Sequence, residues 1–223
     1  MQVTGDNNNI IVLELFTSQG CSSCPPADRL LGTYADRANI AALSFHVDYW
    51  NRLGWKDPFS DPAYSARQQD YAASFGPGSV YTPQLIINGE KEMVGSDEDK
   101  IAATVQQMQG PAYSQITMGE IATDGNKVSL RYSLSGKINN AVVNIALVQK
   151  KTTTSIKAGE NKGVTLTNYN VVRNFKTIDS LSAGENMTTI ELAAGVPKEE
   201  CIIVIYLQDV VSRKIFAAAK SGL

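Results

Sequence analysis

The cysteines Cys21 and Cys24, separated by two serines, constrain the fold of this chain more than any other feature. They follow an apolar, β-branched run, Ile10 to Thr17, which predicts a buried parallel strand. Pro25 and Pro26 come next, and proline suits the first turn of a helix because the N–H that it lacks would have no partner there. The pair is therefore predicted at a strand-to-helix junction.

A cysteine pair at such a junction is suited to thiol chemistry. Unpaired N–H groups at a helix N-terminus favour a thiolate, and helical geometry keeps the second sulfur close enough to close a disulfide. We predict a redox-active disulfide in which Cys21 is the attacking thiolate and Cys24 is the resolving thiol, with no other cofactor.

The same spacing also occurs in metal sites. Structural zinc needs four ligands, whereas the chain offers one histidine, His46, one further cysteine, Cys201, and no second pair of this spacing. A redox pair is therefore favoured over zinc. Copper(I) binding through Cys21, Cys24 and His46 stays open as an alternative, because soft thiolates suit that ion.

Strands and helices alternate over residues 10–110. The predicted order is β-α-β-α-β-β-α, in which the later strands are Ile40 to Tyr49, Gln84 to Ile87 and Glu92 to Val94. Such alternation predicts a mainly parallel sheet with helices packed on it.

The composition changes at Gly110 and Pro111. Beyond them apolar residues recur with period two, as from Val128 to Leu134, which predicts a β-sandwich-like domain over residues 111–223. A chain of 223 residues is long enough for both domains, 10–110 and 111–223. Residues 1–9 are predicted to be a disordered or added segment.

Four longer motifs are specific enough to compare with known families. They are Glu14 to Asp28 (ELFTSQGCSSCPPAD), His46 to Phe59 (HVDYWNRLGWKDPF), Val80 to Gly89 (VYTPQLIING) and Gly159 to Arg173 (GENKGVTLTNYNVVR). Together they resemble a bacterial family of secreted thioredoxin-like proteins, known only as a domain of unknown function. The resemblance implies an α/β thioredoxin-like fold with a β-rich extension and export from the cytoplasm. It implies no reaction, because the family has no settled activity.

The dipeptide Thr82-Pro83 opens the third predicted strand. In folds of the kind that the resemblance implies, a proline at this place is cis and lies beside the dithiol. An X-Pro bond adopts the cis form at low cost. We predict a cis bond here and a substrate groove shaped by Thr82 and Pro83.

Two ionisable side chains lie in predicted strands. Glu14 interrupts an apolar run, and it is predicted either as a buried proton relay with a raised pKa or as a strand-edge surface residue. His46 lies two residues from Asp48, on the same face of the second strand. A structural hydrogen-bonding role is favoured for His46 over a role as base or metal ligand.

The long loop after the second strand and the second half of the chain supply further candidates. The loop aromatics, predicted to wall a cleft or to pin the loop, are Trp50, Trp55 and Phe59. The loop charges, predicted to lie on the surface, are Arg52, Lys56 and Asp57. Cys201 is predicted as a buried, unreactive thiol. The residues predicted to dock a later loop against the first half are Glu160, Asn161 and Arg173.

Charge and hydropathy exclude several classes of function. A formal charge of −2 gives no basic footprint for nucleic acid, and the longest late apolar run, Cys201 to Leu207, is too short to span a bilayer. We predict a periplasmic or secreted thiol–disulfide oxidoreductase acting on protein or small-molecule thiols and disulfides, with its leader removed and Met1 added later. The alternatives are a copper(I)-binding protein and a non-catalytic binding or scaffold protein. The sequence indicates no oligomeric state.

Overall fold

The computed structural model describes residues 10–75, 80–108, 114–136 and 138–223. The segment 1–9 and the boundary predicted at Gly110 and Pro111 lie outside the described residues. The strands are β1 (Ile11–Thr17), β2 (Ile40–His46), β3 (Gln84–Ile87), β4 (Lys91–Val94), β5 (Ser114–Asp124), β6 (Lys127–Gly136), β7 (Ala141–Ser155), β8 (Thr165–Ile178), β9 (Gly184–Glu191), β10 (Cys201–Asp209) and β11 (Ile215–Gly222). The helices are α1 (Pro25–Ala35), α2 (Pro62–Ser74) and α3 (Glu98–Gln107).

One eight-stranded mixed sheet extends through both halves of the chain. Its strand order is β11-β10-β7-β8-β2-β1-β3-β4, and β5, β6 and β9 form a second sheet of three strands. The two halves join where β8 runs parallel to β2, with Ser44 opposite Val171. The predicted fold class, a thioredoxin-like α/β unit followed by a β-sandwich, is therefore wrong. The chain is mostly β, with 48% strand and 20% helix.

The physical reason for this error is the pairing of β8. Strand neighbours that are distant in sequence leave no local trace in the pattern of apolar residues, so the sequence does not reveal that β8 inserts between β7 and β2. Its central residues, Val171 and Val172, are buried, as expected of a strand inside a sheet rather than at its edge.

The strand that leads to the cysteines is buried on both faces. Leu13 and Leu15 of β1 pack with α1 residues such as Leu31, whereas Phe16 packs on the opposite face with Tyr71 of α2. Because both faces are covered, every residue of β1 is buried, and all of them except Glu14 and Thr17 are apolar. The three-stranded sheet packs on the part of the large sheet formed by β7, β10 and β11.

Among the described residues, none of the helices combines the length and the apolar character that crossing a membrane requires.

Candidate functional site

Cys21 and Cys24 form a disulfide between the end of β1 and the start of α1, with Cα atoms 5.5 Å apart. Cys24 is the N-cap residue of α1, and Pro25 opens the helix as predicted. Cys21 lies in the preceding turn, where its N–H donates to the carbonyl of Ser18 at 3.1 Å. The helix N-terminus thus lies at the second cysteine rather than at the first.

Two oxygen atoms lie close to the sulfur of Cys21. The Ser23 hydroxyl is 3.4 Å from Cys21 Sγ, and the carbonyl oxygen of Thr82 is 3.9 Å from the same sulfur. The Thr82–Pro83 bond is cis, as predicted. The indole N–H of Trp50 donates to the Thr82 hydroxyl at 2.8 Å, so one of the loop aromatics holds the cis dipeptide beside the disulfide.

Both sulfurs are shielded from solvent. Cys21 and Cys24 are 0% exposed, although Ser22 and Ser23 between them are exposed. A thiol in solution has no surface of either sulfur to attack in this arrangement. Any exchange reaction at this disulfide requires a neighbouring segment to move.

The loop between β7 and β8 contacts this segment through two side chains. The Asn161 amide donates to the carbonyls of Gln19, at 2.9 Å, and Cys21, at 3.0 Å. The Glu160 carboxylate accepts a hydrogen bond from the Ser22 N–H at 3.0 Å, which lowers the pKa of Glu160. Docking of the loop was predicted for both residues, and the structure places both there.

Arg173, the third predicted docking residue, also contacts the first half of the chain, but away from the disulfide. Its guanidinium donates to the Gln149 side chain and stacks over the ring of Phe59, 4.9 Å from the ring centroid. The ring of Phe59 in turn meets the His46 ring edge-on at 5.4 Å. Arg173 therefore supports the loop aromatics rather than the disulfide.

His46 and Asp57 form a buried pair beneath the segment that leads to the disulfide. His46 Nδ1 lies 2.7 Å from Asp57 Oδ2, and the same carboxylate oxygen accepts the Gln19 N–H at 2.8 Å. Burial is the largest influence and lowers the pKa of His46, but the charge and hydrogen bond of Asp57 together with the charge of Asp28 outweigh it, so the pKa of His46 is raised. Asp57, predicted as a surface charge, is 1% exposed, and that prediction is wrong because its loop folds inward onto Gln19.

Gln19 connects this pair to the rest of the site. Its side-chain amide donates to Asn168 at 2.9 Å, and its side-chain oxygen accepts the Trp55 indole N–H at 3.2 Å. The long loop and β8 thus hold the approach to Cys21 from two sides. Trp55 pins the segment in place, which was one of its two predicted roles.

Asp28 is a functional candidate that the sequence reasoning missed. It lies one turn into α1, where its N–H donates to the Cys24 carbonyl at 3.1 Å and its carboxylate accepts the Thr17 hydroxyl at 2.9 Å. Burial raises the pKa of Asp28 to about 6, against the opposing charge of His46. An acid in the first turn of a helix is commonplace, so the position of Asp28 in the sequence carried no sign of burial.

Glu14 is fully buried, so the prediction of a surface residue at the strand edge is wrong. Its carboxylate accepts hydrogen bonds from Arg67 Nε at 2.9 Å, from the Tyr206 hydroxyl at 2.8 Å and from the Tyr71 hydroxyl. These partners belong to α2 and β10. The structure therefore brings Glu14 together with an ion-pair network rather than with the disulfide.

The remaining candidate residues lie in ordinary buried or surface environments. Cys201 is a buried free thiol that donates to the Pro197 carbonyl at 3.6 Å, and burial raises its pKa. Asp48 accepts the Ser65 hydroxyl at 2.5 Å. Arg52 and Lys56 are exposed, as predicted.

Metal-binding residue types are not grouped in the part of the chain that the structure describes. No cluster there holds three or more His, Cys, Asp or Glu side chains placed for a metal ion. His46 is engaged with Asp57, and the two cysteines are joined to each other. The three ligands of the copper(I) alternative thus do not form such a cluster.

The chain is similar to a solved structure over nearly its whole length. A crystal structure of a protein from Agrobacterium tumefaciens shares 26% sequence identity, covers 95% of this chain and 94% of its own, and superposes with a TM-score of 0.71. A domain of the outer membrane lipoprotein Omp28 from Porphyromonas gingivalis shares 13% identity over 51% of this chain and 90% of its own, with a TM-score of only 0.31. No protein with a curated description is significantly similar to the chain.

A family model described as a protein of unknown function, DUF1223, matches residues 12–208. This match includes Cys21, Cys24, Thr82 and Pro83 as well as the loop between β7 and β8 that contacts Cys21. It confirms the resemblance to a family of unknown function. The chain belongs to the DUF1223 family.

Proposed function

We propose that this protein is a thiol–disulfide oxidoreductase whose redox centre is the Cys21–Cys24 disulfide. The observation that supports this proposal most is the position of the pair. It lies between a buried strand and a helix, and Cys21 Sγ is near the carbonyl of Thr82 in the cis dipeptide. We also propose a periplasmic or secreted location, because disulfides persist in oxidising compartments.

The proposed reaction transfers two electrons through one mixed disulfide. A substrate thiolate attacks Cys21 Sγ, the Cys21–Cys24 bond breaks, and Cys24 leaves as a thiolate that takes up a proton. A second substrate thiolate then attacks the substrate sulfur of the mixed disulfide, which releases the oxidised substrate and the Cys21 thiolate. The reverse sequence reduces a substrate disulfide and oxidises the cysteine pair.

The side chains around the pair suit these steps. The Ser23 hydroxyl, 3.4 Å from Cys21 Sγ, can donate a hydrogen bond to the Cys21 thiolate. Asp28 lies one turn after Cys24 and has a pKa of about 6, close to the neutral range in which a general acid works best. We therefore assign Asp28 the role of proton donor to Cys24, in place of the role predicted for Glu14.

A second candidate function is a non-catalytic scaffold that the disulfide merely stabilises. The observation that favours it is the full burial of both sulfurs. Structural disulfides resist reduction, whereas catalytic ones exchange readily with thiols.

A single-cysteine trap tests the proposal. In the double variant C24A/C201A, Cys21 is the only thiol, and its thiolate is expected to attack oxidised glutathione, form a mixed disulfide and release one glutathione thiolate. The matched control C21A/C201A leaves Cys24 as the only thiol, and we expect a slower reaction there. Mass spectrometry reads both adducts. Absence of an adduct on Cys21, with glutathione and with unfolded protein disulfides, would favour the scaffold.

A further inference from the structure

The hairpin tip, residues 156–164 between β7 and β8, is a closed turn with its own hydrogen bonds. The N–H of Ile156 donates to the Val164 carbonyl and that of Gly163 to the Ile156 carbonyl, both at 2.9 Å. Further bonds join Lys162 to Gly159 and Val164 to Asn161. The tip therefore does not depend on the disulfide segment for its shape.

The tip is attached to the disulfide segment by a small number of polar contacts. Asn161 is its anchor: this side chain is 7% exposed, whereas Glu160 and Lys162 on either side of it are exposed. The described hydrogen bonds across the contact are the two from Asn161 and those that Glu160 accepts from the N–H and the hydroxyl of Ser22. These few hydrogen bonds can break without loss of a hydrophobic core.

A close approach at Gly159 completes the contact. Gly159 has a φ of +75°, and a Cβ atom at this position would lie 3.2 Å from Cβ of Trp55. Glycine thus lets the tip lie directly on the loop whose other tryptophan, Trp50, binds Thr82. The tip, the loop and the disulfide segment meet at one place.

The strands that carry the tip form a two-stranded ribbon. In the described sheet, β10 pairs with β7 only as far as Gln149, and the residues from Lys151 to Ser155 pair with β8 alone. Two-stranded ribbons are less stable than the interior of a sheet. The β8 side of this ribbon is held by the buried Asn168, which accepts a hydrogen bond from Gln19, so the opening is confined to the tip itself, residues 156–164.

We propose that the hairpin tip is a cap that keeps thiols from the Cys21–Cys24 disulfide, and that its displacement controls access to the pair. The biological purpose of the cap, but not its existence, depends on the proposed oxidoreductase function. Thiol attack needs an exposed sulfur, the sulfurs have no exposed surface, and the tip bonds directly to the carbonyl of Cys21 and the N–H of Ser22.

The rate of reduction by dithiothreitol tests the cap separately from any physiological exchange. The oxidised protein is mixed with dithiothreitol, free thiols are alkylated at intervals, and the product is weighed by mass spectrometry. Asn161→Ala is expected to raise the rate constant of reduction by about tenfold, because the cap loses two ordinary hydrogen bonds. Lys162→Gln, an exposed position in the same turn, is the matched control and is expected to leave the rate unchanged.

Two further measurements keep the proposal falsifiable if Asn161→Ala fails to fold. Asn161→Asp keeps the size of the side chain but places a carboxylate against two carbonyl oxygens, so it is also expected to accelerate reduction. In the wild type, the Ser22 amide is expected to exchange with deuterium faster than the Leu13 amide of β1, because only the cap has to open.

Folded Asn161 variants that are reduced at the wild-type rate would overturn the cap, as would a Ser22 amide protected as strongly as that of Leu13. These results do not depend on the glutathione trap. If the Asn161 variants are reduced faster but no adduct forms on Cys21, the cap is supported and the proposed oxidoreductase activity is contradicted.

Discussion

His46 Nδ1 lies 2.7 Å from Asp57 Oδ2, and both side chains are shielded from solvent. The second ring nitrogen of His46 is buried without a hydrogen-bond partner among the described residues. Asp57 also accepts the N–H of Gln19, two residues before Cys21. A buried charge pair is thus linked through one backbone hydrogen bond to the turn that carries the Cys21–Cys24 disulfide.

Asp57→Asn is expected to lower the pKa of His46. Burial and the charge of Arg173 lower that pKa, whereas Asp57 and, less strongly, Asp28 raise it, so removing the Asp57 carboxylate takes away the largest raising effect. His46 is the only histidine of the chain, so its ring signals can be followed by NMR titration without ambiguity. Lys56→Gln, an exposed neighbour, is the control, and an unchanged or raised pKa in Asp57→Asn would contradict the pairing.

The stability that His46 contributes is expected to depend on pH in a defined direction. Its pKa is raised in the folded protein, so the contribution is complete below the unfolded value of about 6.5 and is lost as the pH rises through the folded pKa. The stability that Asp57 contributes depends on pH in the opposite direction. The pKa of Asp57 is lowered in the folded protein, so its contribution is lost as the pH falls through that folded-state pKa.

Asp28→Asn is expected to stabilise the protein at high pH relative to low pH. The pKa of Asp28 rises from 3.8 to about 6 on folding, so ionisation above that pH destabilises the folded state. The free energy of unfolding of the variant should gain about 2 kcal/mol on that of the wild type between about pH 4 and pH 8, since one pKa unit is equivalent to about 1.36 kcal/mol and part of the effect already develops below about pH 4. Urea denaturation of both proteins measures this gain, and a difference independent of pH would contradict the buried ionisation.

The same substitution is expected to slow thiol exchange. If Asp28 donates the proton that Cys24 takes up, Asp28→Asn lowers the rate of substrate oxidation by at least about 100-fold, the lower end for general acid catalysis. It also removes the inflection near pH 6 from the pH–rate profile. A slower reaction with an unchanged profile would show that Asp28 has only a structural role.

The ion pair between Arg67 and Glu14 is expected to matter for stability. Arg67→Met leaves the buried Glu14 carboxylate without its cation, which costs about 3–5 kcal/mol. Arg213→Met is the matched control, because the ion pair of Arg213 with Asp70 is partly exposed and contributes less than about 1 kcal/mol. Urea denaturation gives both values, and equal losses would contradict the assignment.

Local features of the site could be predicted from the sequence, because their causes are local. Pro25 places the start of α1 directly after the cysteines. The cis bond of Thr82-Pro83 was predicted from the family resemblance, together with the low cost of the cis form at an X-Pro bond. Docking of Glu160 and Asn161 was also predicted, since the polar, glycine-bearing run around them predicts a long loop.

Features that depend on distant partners could not be predicted. The pairing of β8 with β2 brings Ser44 opposite Val171, 127 positions later in the chain, and no periodicity records such a contact. Asp28 and Asp57 look like ordinary surface acids in a helix start and a loop, and only the packed structure buries them. Glu14 was expected near the disulfide, but it faces Arg67 because side chains alternate along β1.

The reduction potential of the Cys21–Cys24 pair, measured in a Cys201→Ala background against a glutathione or dithiothreitol buffer, tests the central claim most directly. We predict a value between about −270 and −120 mV, the range of dithiol enzymes that exchange with their substrates. A value below about −300 mV, typical of structural disulfides, would contradict the proposed oxidoreductase.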